Sequence, residues 1–373
     1  MAFNFTVIKK DRATAARLGR LVTAHGEVET PAFMPVGTQG SVKAMSSRDL
    51  EEIGCQMVLA NTYHLYLRPG VEVIRELGGL HRFMGWTRPI LTDSGGYQVF
   101  SLGALRKITE EGVQFQSHLD GSSHLLTPER VVEIQQELGS DIAMVLDECI
   151  PHLASREYVR ASTRRTMRWA GRSLKARGRG GPALFGIIQG GMYEDLRLEC
   201  AREMIGLPFD GFAVGGLGVG EGEAALHSVG EFTAGLLPED RPRYLMGVGR
   251  PEDLIFGVRS GYDLFDCVLP TRNARNGTLF TSAGKINIRR AEYTNDPRPA
   301  DESCDCYCCR HFSRAYLRHL HQAGEILAAC LLTLHNLAFY HRLMETLRRA
   351  IREERAELWP RDSRLMFQQS EST

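Results

Sequence analysis

The chain of 373 residues carries no formal net charge, because 45 lysines and arginines balance 45 aspartates and glutamates. That balance argues against a protein whose whole surface binds a polyanion. The sequence has no run of about 18 apolar residues and no apolar signal segment near residue 1, so we expect neither a membrane span nor secretion. We therefore expect a cytoplasmic protein. Only three tryptophans occur, and none adjoins the polar motifs described below, which argues against an aromatic-lined sugar cleft.

The nine cysteines do not suit a disulfide framework, since their number is odd and the expected compartment is reducing. Cys304, Cys306 and Cys309 form a C-x-C-x2-C pattern whose three thiolates can share one tetrahedral ion. The nearby candidates for a fourth ligand are His311, His319, His321, His335 and His341. His335 is favoured because a helical return beyond Gly324 would bring it back to the cysteines, although it could be an ordinary helix-face histidine. The pattern predicts a zinc site.

Eight short apolar runs alternate with helix-like segments, at residues 32–36, 57–60, 89–92, 142–146, 184–188, 212–214, 244–248 and 264–269. Buried parallel strands alternating with helices over about 250 residues predict an α/β fold, a (β/α)8 TIM barrel. Residues outside this rhythm, the first 20 or so and 102–127, are expected to form β additions. We divide the chain into a barrel catalytic domain (1–285), a zinc-binding subdomain with helices packed on the barrel (286–345), and a C-terminal helix and polar tail (346–373).

Polar side chains stand where four of the predicted strands end. Asp93, Asp147, Gln189 and Asp266 occupy these positions, and in such barrels the pocket forms from the loops at the carboxyl ends of the strands. A single aspartate is more often a helix cap or a structural acceptor. Three carboxylates facing one pocket would raise one another's pKa and suit nucleophilic or acid-base chemistry.

Two groups of basic residues are also present. The loop PTRNARNG at 270–277 places Arg272 and Arg275 beside Asp266, where they could clamp phosphates, although a polar turn around Asn-Gly is common. Residues 156–179 hold nine basic side chains against the single Glu157, on one face of an amphipathic helix. That face is either solvated or a strip for a phosphate backbone, and the sequence favours neither interpretation.

Several motifs together resemble one family. These are DSGGYQVF at 93–100, GIIQG at 186–190, AVGGL at 213–217, YLMGVG at 244–249, FDCVLPTR at 265–272, and the cysteine pattern with its downstream histidine. In the same order, from about Phe5 to Tyr340, they resemble the tRNA-guanine transglycosylases, also called queuine tRNA-ribosyltransferases. The resemblance implies a zinc-containing barrel that exchanges guanine at the wobble position of GU(N)-anticodon tRNAs for a deazaguanine.

The resemblance also implies roles for individual residues. Asp266 would be the nucleophile at the ribose C1′, and Asp93 the acid-base partner. The substrate-binding residues would be Asp93, Tyr97, Asp147, Gln189, Gly216, Leu217, Glu221 and Met246. Arg272 and Arg275 would contact the anticodon loop, and the zinc ligands would be Cys304, Cys306, Cys309 and His335.

Substrate choice and assembly are implied by the same resemblance. Cys149 and Val219 look like the bacterial set, which takes 7-aminomethyl-7-deazaguanine where eukaryotic members take queuine. Family members act as homodimers on one tRNA, and the sequence itself shows no dimer motif. Three alternatives differ in function: a non-catalytic partner subunit, a zinc-anchored RNA-binding protein, and a barrel glycoside hydrolase. Retention of both Asp93 and Asp266 argues against the first.

Overall fold

The structure is a computed structural model that describes residues 3–101 and 106–355. Its strands are β1 (Asn4–Lys10), β2 (Arg17–Thr23), β3 (Gly26–Thr30), β4 (Ala32–Gly37), β5 (Val58–Ala60), β6 (Ile90–Thr92), β7 (Arg106–Ile108), β8 (Val113–Gln116), β9 (Ser123–Leu126), β10 (Ile142–Met144), β11 (Ala183–Ile188), β12 (Gly211–Val214), β13 (Arg243–Leu245), β14 (Leu264–Cys267), β15 (Thr278–Thr281) and β16 (Gly284–Asn287).

Its helices are α1 (Ser47–Glu52), α2 (Thr62–Leu67), α3 (Val71–Glu76), α4 (Gly79–Met84), α5 (Gly96–Ser101), α6 (Pro128–Leu138), α7 (Arg156–Ala176), α8 (Glu194–Ile205), α9 (Glu223–Leu236), α10 (Pro251–Arg259), α11 (Leu269–Arg275), α12 (Tyr307–His311), α13 (Arg314–Ala323) and α14 (Ile326–Arg352). A short 3₁₀ turn, Ala291–Tyr293, precedes the cysteine segment.

Eight parallel strands close into a barrel in the order β4-β5-β6-β10-β11-β12-β13-β14. The last strand pairs with the first, so that Leu264 lies opposite Ala32 and Asp266 opposite Met34. All eight predicted strands are present, which confirms the TIM barrel. Strands β10, β13 and β14 end two or three residues earlier than predicted. Their apolar runs continue as buried loop residues, such as Val145 and Leu146, which pack in the core without extending the strand.

The two predicted β additions are antiparallel sheets. The sheet β1-β2-β3 is joined to the barrel end where β14 begins, because Arg17 on β2 forms a buried ion pair with Asp263. The sheet β7-β8-β9 follows α5 and contacts the opposite end, where the ring of Phe115 lies 5.3 Å from that of Tyr63. Residues 102–105 of this predicted β segment, and residues 356–373 of the predicted polar tail, lie outside the described residues.

Helix α14 is the longest helix and links the barrel to the cysteine segment. Its length and composition would allow it to span a membrane, but 61% of its apolar stretch is buried inside the protein, as in the core helix of a soluble protein. Arg348 donates to the carbonyl of Pro31 on the barrel. Asn336 donates to the carbonyls of Pro270 and Thr278, each at 3.0 Å. The helix therefore fixes α11, which follows the last barrel strand.

The basic helix predicted at 156–179 forms as α7, and its charges are largely paired. Six of its nine cations form ion pairs with carboxylates on neighbouring elements: Arg156 with Asp195, Arg164 with Glu199, Arg165 with Glu148, Arg168 with Glu110, Arg172 with Glu129, and Arg177 with Asp210. These pairs connect α7 to both adjacent barrel helices and to the segment that joins β7 and β8. The pairing favours a structural role for this face over a strip that binds phosphates.

Candidate active site and metal centre

Asp93 follows β6 and is held by a ring of donors. Its side chain is 9% exposed. One oxygen accepts from the backbone N–H of Thr62 at 2.9 Å and of Gly95 at 3.2 Å, and the other accepts from the amides of Asn61 and Gln98. Burial outweighs these donors and raises the pKa of Asp93 from 3.8 to about 6. The carboxyl group can therefore take up and release a proton near neutral pH, as acid-base chemistry requires.

Asp147 follows β10 and forms a pair with Gln189, which follows β11. The Gln189 amide nitrogen donates to Asp147 Oδ2 at 2.8 Å, and the Ser94 hydroxyl donates to Oδ1 at 3.3 Å. Burial raises the pKa of Asp147 to about 6. The side-chain oxygen of Gln189, Oε1, is buried and accepts no hydrogen bond within the described residues. A buried acceptor without a partner is rare in folded proteins, so this pair is suited to binding a polar ligand.

Asp266 lies on β14 and has one engaged and one free oxygen. Oδ1 accepts from the Tyr244 hydroxyl at 2.6 Å and from the Gly247 N–H at 2.8 Å, and Oδ2 accepts nothing in the described part of the chain. Burial raises the pKa of Asp266 above its usual 3.8. The pKa of Tyr244 is raised well above its usual value by burial, by the charge and hydrogen bond of Asp266, and by the charge of Asp93. A fixed carboxylate with one exposed lone-pair oxygen is the geometry of a nucleophile.

Two glycines leave room that this site needs. A Cβ on Gly96 would lie 2.7 Å from the backbone oxygen of Asp147 and 2.8 Å from its Oδ1. A Cβ on Gly216 would lie 2.6 Å from the side-chain oxygen Oε1 of Gln189, and the φ of Gly216 is +70°. Any side chain at either position would displace the Asp147–Gln189 pair. The requirement for glycine is thus set by the polar pair beside it.

The loop after β12 is ordered by Glu221. Its carboxylate accepts from the N–H of Gly218 at 2.5 Å and from that of Val219 at 2.9 Å. Leu217 is 3% exposed beneath this loop. A 270 Å³ cavity opens beside it, lined on one side by Gly218, Glu221 and their neighbours and on the other by the loop that follows β13. The loops after two adjacent strands therefore line one cavity, and Gly247 in that lining donates its N–H to Asp266.

The remaining predicted site residues also lie at this end of the barrel. Tyr97, on α5, is 58% exposed, and Met246, after β13, is partly buried against the core. Arg272 and Arg275 are exposed on α11, directly after β14, and neither forms an ion pair within the described residues. These two cations contrast with the paired arginines of α7, because their charges remain available to an anion.

The four predicted metal ligands form one buried cluster. The donor atoms of Cys304, Cys306, Cys309 and His335 all lie within 4.8 Å of one another, and this group could hold a metal ion. His335 Nδ1 is 3.2 Å from the sulfur of Cys309, and Nε2 is 2.8 Å from the carbonyl oxygen of Phe280. A carbonyl can only accept, so Nε2 carries the hydrogen and the Nδ1 lone pair faces the thiols. Three sulfurs and one imidazole in this arrangement fit a tetrahedral metal.

Comparison with known proteins matches nearly the whole chain. The family model for queuine tRNA-ribosyltransferase covers residues 11–366. The chain belongs to this family. A queuine tRNA-ribosyltransferase of Caldanaerobacter subterraneus subsp. tengcongensis is 59% identical over 355 residues, and one of Thermoanaerobacter sp. is equally similar, each match covering 95% of both chains. Another, of Solidesulfovibrio magneticus, is 58% identical over 359 residues, covering 96% of both chains.

Membership of the queuine tRNA-ribosyltransferase family makes the chain a pentosyltransferase, as the sequence motifs predicted. Family membership also argues against the alternative of a barrel glycoside hydrolase. The structure brings the predicted polar residues Asp93, Asp147, Gln189 and Asp266 to one end of the barrel, and keeps the Cys–His cluster in a separate hydrophobic core.

Sequence reasoning missed several residues that hydrogen-bond the aspartates of the site, among them Asn61, Thr62 and Tyr244. Asn61 and Thr62, which bind Asp93, stand directly after the second predicted strand, so the rule applied to later strand ends would have found them. Tyr244 is less accessible to such reasoning. It lies next to Leu264 in the register of β13 and β14, so its side chain and that of Asp266 share a face. That register is visible only in the folded sheet.

Proposed function

We propose that this enzyme is a tRNA-guanine transglycosylase. It exchanges guanine at the wobble position, 34, of tRNAs with GU(N) anticodons (Tyr, His, Asn, Asp) for 7-aminomethyl-7-deazaguanine, an early step in queuosine biosynthesis. The observation that carries the proposal is Asp266 Oδ2, which accepts no hydrogen bond from the described residues and lies at the barrel end that also holds two buried carboxyl groups, whose pKa values burial raises to about 6. Guanine is released from the tRNA as the second product of the exchange.

The proposed reaction is a double displacement at the ribose C1′. Asp266 Oδ2 forms a bond to C1′ while the bond from C1′ to the base nitrogen breaks, and the bonding electrons leave with the base. Asp93 donates a proton to the departing guanine. It then accepts a proton from the incoming base, whose nitrogen attacks C1′ and displaces the Asp266 carboxylate. Two inversions give retention at C1′, with a covalent aspartyl-ribose tRNA intermediate between them.

The base would bind in the space between the strand ends. Asp147 would accept hydrogen bonds from the base edge, the Gln189 amide would complete that edge, and the Gly216 N–H would donate to the exocyclic oxygen. Tyr97 and Met246 would sandwich the ring. Support for this arrangement comes from the side-chain oxygen of Gln189, which has no partner among the described residues, and from the required absence of a side chain at Gly216.

The loop of Leu217 and Glu221 would present backbone groups to the substituent of the deazaguanine. Glu221 holds two consecutive N–H groups of this loop, which supports a fixed backbone there. Cys149, after β10, and Val219 would set the pocket size for 7-aminomethyl-7-deazaguanine. Both belong to loops at the site, and Cys149 is buried beside Asp147.

The target nucleotide must leave the anticodon stack to reach this pocket. Arg272 and Arg275 would contact the backbone of the anticodon loop, which is consistent with their exposure and with the lack of an acidic partner for either in residues 3–101 and 106–355. We further propose that the enzyme is cytoplasmic, that it does not enter a membrane, and that it acts as a homodimer on one tRNA. The burial of α14 supports the soluble assignment.

We propose that the Cys–His cluster holds one structural Zn²⁺, with Cys304, Cys306, Cys309 and His335 as its ligands. When bound, the ion would supply crosslinking between the cysteine segment and α14. All four donors come from protein, so no position is open for water or substrate. We also propose that the chain comprises a barrel domain (1–285), a zinc-binding subdomain (286–345) and a C-terminal segment (346–373).

The test is incorporation of labelled guanine into unmodified tRNA(Tyr) or tRNA(Asp) by the purified enzyme. We expect label to enter tRNAs with GU(N) anticodons and to stay out of a tRNA whose position 34 is adenine. Absence of incorporation by folded protein with bound zinc would exclude the proposal. Binding of tRNA without exchange would favour the alternative of a zinc-anchored RNA-binding protein.

A further inference from the structure

One arginine is fully buried behind the residues proposed to bind the base. Arg197, on α8, is 0% exposed, and in the described part of the chain no carboxylate oxygen lies within ion-pair distance of it. The buried Arg17 is different, because it pairs with Asp263. Burying an unpaired charge is costly, so such a residue is expected to have a specific task.

The guanidinium of Arg197 connects the two loops that carry the expected base contacts. Nε donates to the carbonyl of Gly191 at 2.7 Å, after β11, and Nη2 donates to the carbonyl of Gly215 at 3.1 Å, after β12. The loop after β11 carries Gln189, and the loop after β12 carries Gly216. The third nitrogen, Nη1, is buried with no partner among the described residues. Arg197 therefore fixes Gln189 and Gly216 relative to each other.

The second of these hydrogen bonds acts on one particular amide. The Gly215 carbonyl and the Gly216 N–H belong to the same peptide group, and in a trans peptide they point in opposite directions. With the carbonyl directed at Arg197, the N–H points away from the arginine. It makes no hydrogen bond within the described residues. A cationic donor on a carbonyl also polarises the amide and strengthens its N–H as a donor.

We propose that Arg197 is a positioning residue for base recognition and departure: it orients and polarises the Gly215–Gly216 peptide, so that the Gly216 N–H binds the exocyclic oxygen of the purine. This rests on the proposed function. As the bond to C1′ breaks, the base gains negative charge that spreads onto this oxygen. The polarised N–H and the cation behind it stabilise that charge at the point where it develops.

The charge is present under the conditions of the reaction. Burial lowers the pKa of Arg197 to about 10, which still leaves the guanidinium protonated at neutral pH. Methionine has a similar length and no charge, so Arg197→Met would leave the buried Gly215 carbonyl and the partly buried Gly191 carbonyl without this donor while filling the space. Lysine keeps the charge, but a single ammonium group cannot reproduce the two-nitrogen geometry.

The experiment compares inhibition constants of guanine and 6-thioguanine against incorporation of labelled guanine. The two bases differ only at the exocyclic atom, where sulfur is a much weaker acceptor. For Arg197→Met we expect the constant for guanine to rise roughly tenfold, and that for 6-thioguanine by less than about threefold. The ratio of the guanine constant to the 6-thioguanine constant should therefore rise by at least about threefold. An equal rise for both bases would overturn the proposal, because it would show a general disturbance of the pocket.

Two further variants complete the test. Arg348→Met removes another buried arginine, one that binds the Pro31 carbonyl away from the pocket, and its ratio should equal that of the wild type. If Arg197→Met does not fold, Arg197→Lys carries the test. It should show an intermediate loss confined to guanine, and a wild-type ratio would overturn the proposal. Wild-type enzyme that fails to incorporate guanine would instead refute the proposed function itself.

Discussion

The strand-end pocket and the Cys–His cluster are both buried groups of polar side chains, but their unused bonding capacity differs. In the pocket, Asp266 Oδ2 and the carbonyl oxygen of Gln189 have no partner in the described residues. In the cluster, the three sulfurs and His335 Nδ1 face one another, and Nε2 is fixed on a carbonyl. Unfilled donors and acceptors indicate where a substrate binds, and a closed ligand set indicates a structural metal.

The two regions are joined by α14. His335 belongs to the cluster, and the next residue, Asn336, holds the carbonyl of Pro270 at the start of α11. Four residues after Asn336, the Tyr340 hydroxyl donates to the carbonyl of Gly249, in the loop after β13. The cluster can therefore influence the exposed arginines of α11 and the loop beside Asp266 without taking part in the reaction.

The largest effect is expected at the nucleophile. Asp266→Asn should lower kcat/KM for guanine exchange by at least about 10⁴-fold, since an amide cannot form the covalent intermediate. The measurement is incorporation of labelled guanine into tRNA. The matched control is Asp141→Asn, which alters a buried carboxylate that binds two histidines at the opposite end of the barrel. Asp141→Asn should lose stability and keep its kcat. A comparable loss of activity in both variants would contradict the assignment of Asp266 as the nucleophile.

Removing one metal ligand should mainly reduce stability. Cys306→Ala should lower the Tm by about 10 °C or more and weaken tRNA binding, because metal binding is coupled to folding of this segment. Differential scanning fluorimetry, metal analysis and a tRNA binding assay measure these effects. Cys308→Ala is the control. Cys308 is fully buried next to the ligands but is not part of the cluster.

For Cys308→Ala we expect wild-type zinc content and a loss of only about 1 kcal/mol, or 2–4 °C. Normal tRNA affinity in zinc-free Cys306→Ala would contradict the structural role of the metal. That result would also contradict the proposed influence of the metal cluster on α11 through α14.

Binding of guanine should depend on pH through Asp147. Only the deprotonated carboxylate can accept two hydrogen bonds from the base edge, and burial raises the pKa of Asp147 to about 6. The inhibition constant of guanine should be flat above pH 7 and rise by up to about tenfold per pH unit below 6. In Asp147→Asn this dependence should weaken markedly, with weaker binding at neutral pH. An unchanged pH profile in the variant would assign the titration to another group.

The same raised pKa has the opposite effect on folding. Between pH 3.8 and about 6 the folded protein holds a proton on Asp147 that the unfolded chain has released. The contribution of this group to stability is therefore most favourable below pH 3.8 and falls as the pH rises through this window. Thermal unfolding of the wild type and of Asp147→Asn measures the difference.

The smallest effects are expected at the exposed arginines. Arg272→Ala should raise the Kd for tRNA a few-fold and reduce the salt dependence of log Kd by about one unit, as expected for the loss of one phosphate contact. Filter binding at several salt concentrations measures both quantities. Arg168→Ala is the control on α7, where the guanidinium is paired with Glu110. Arg168→Ala should leave both quantities unchanged. Equal effects of the two variants would instead indicate that the basic face of α7 binds the tRNA backbone.

The sequence was sufficient to predict the barrel, because eight apolar runs spaced by helical segments have few other solutions. It also placed Asp93, Asp147 and Asp266 correctly at strand ends, since position along the chain determines which end of a strand a residue occupies. It did not predict the pairing of the α7 arginines, because their partners come from distant segments such as Glu110 and Glu199.

Arg197 illustrates the same limit. In the sequence it lies within a charged helical stretch and resembles any solvated arginine. Its burial depends on where α8 packs against the loops after β11 and β12, which only the folded barrel determines.

The most direct test of Asp266 as the nucleophile is to map the covalent adduct. Enzyme is incubated with tRNA(Tyr), denatured and digested with nuclease and protease, and the peptide that retains ribose is identified by mass spectrometry. We predict that the modified peptide contains residues 264–267 and that the ribose is attached to Asp266. Attachment to Asp93, or no adduct under conditions in which guanine exchange proceeds, would contradict this assignment.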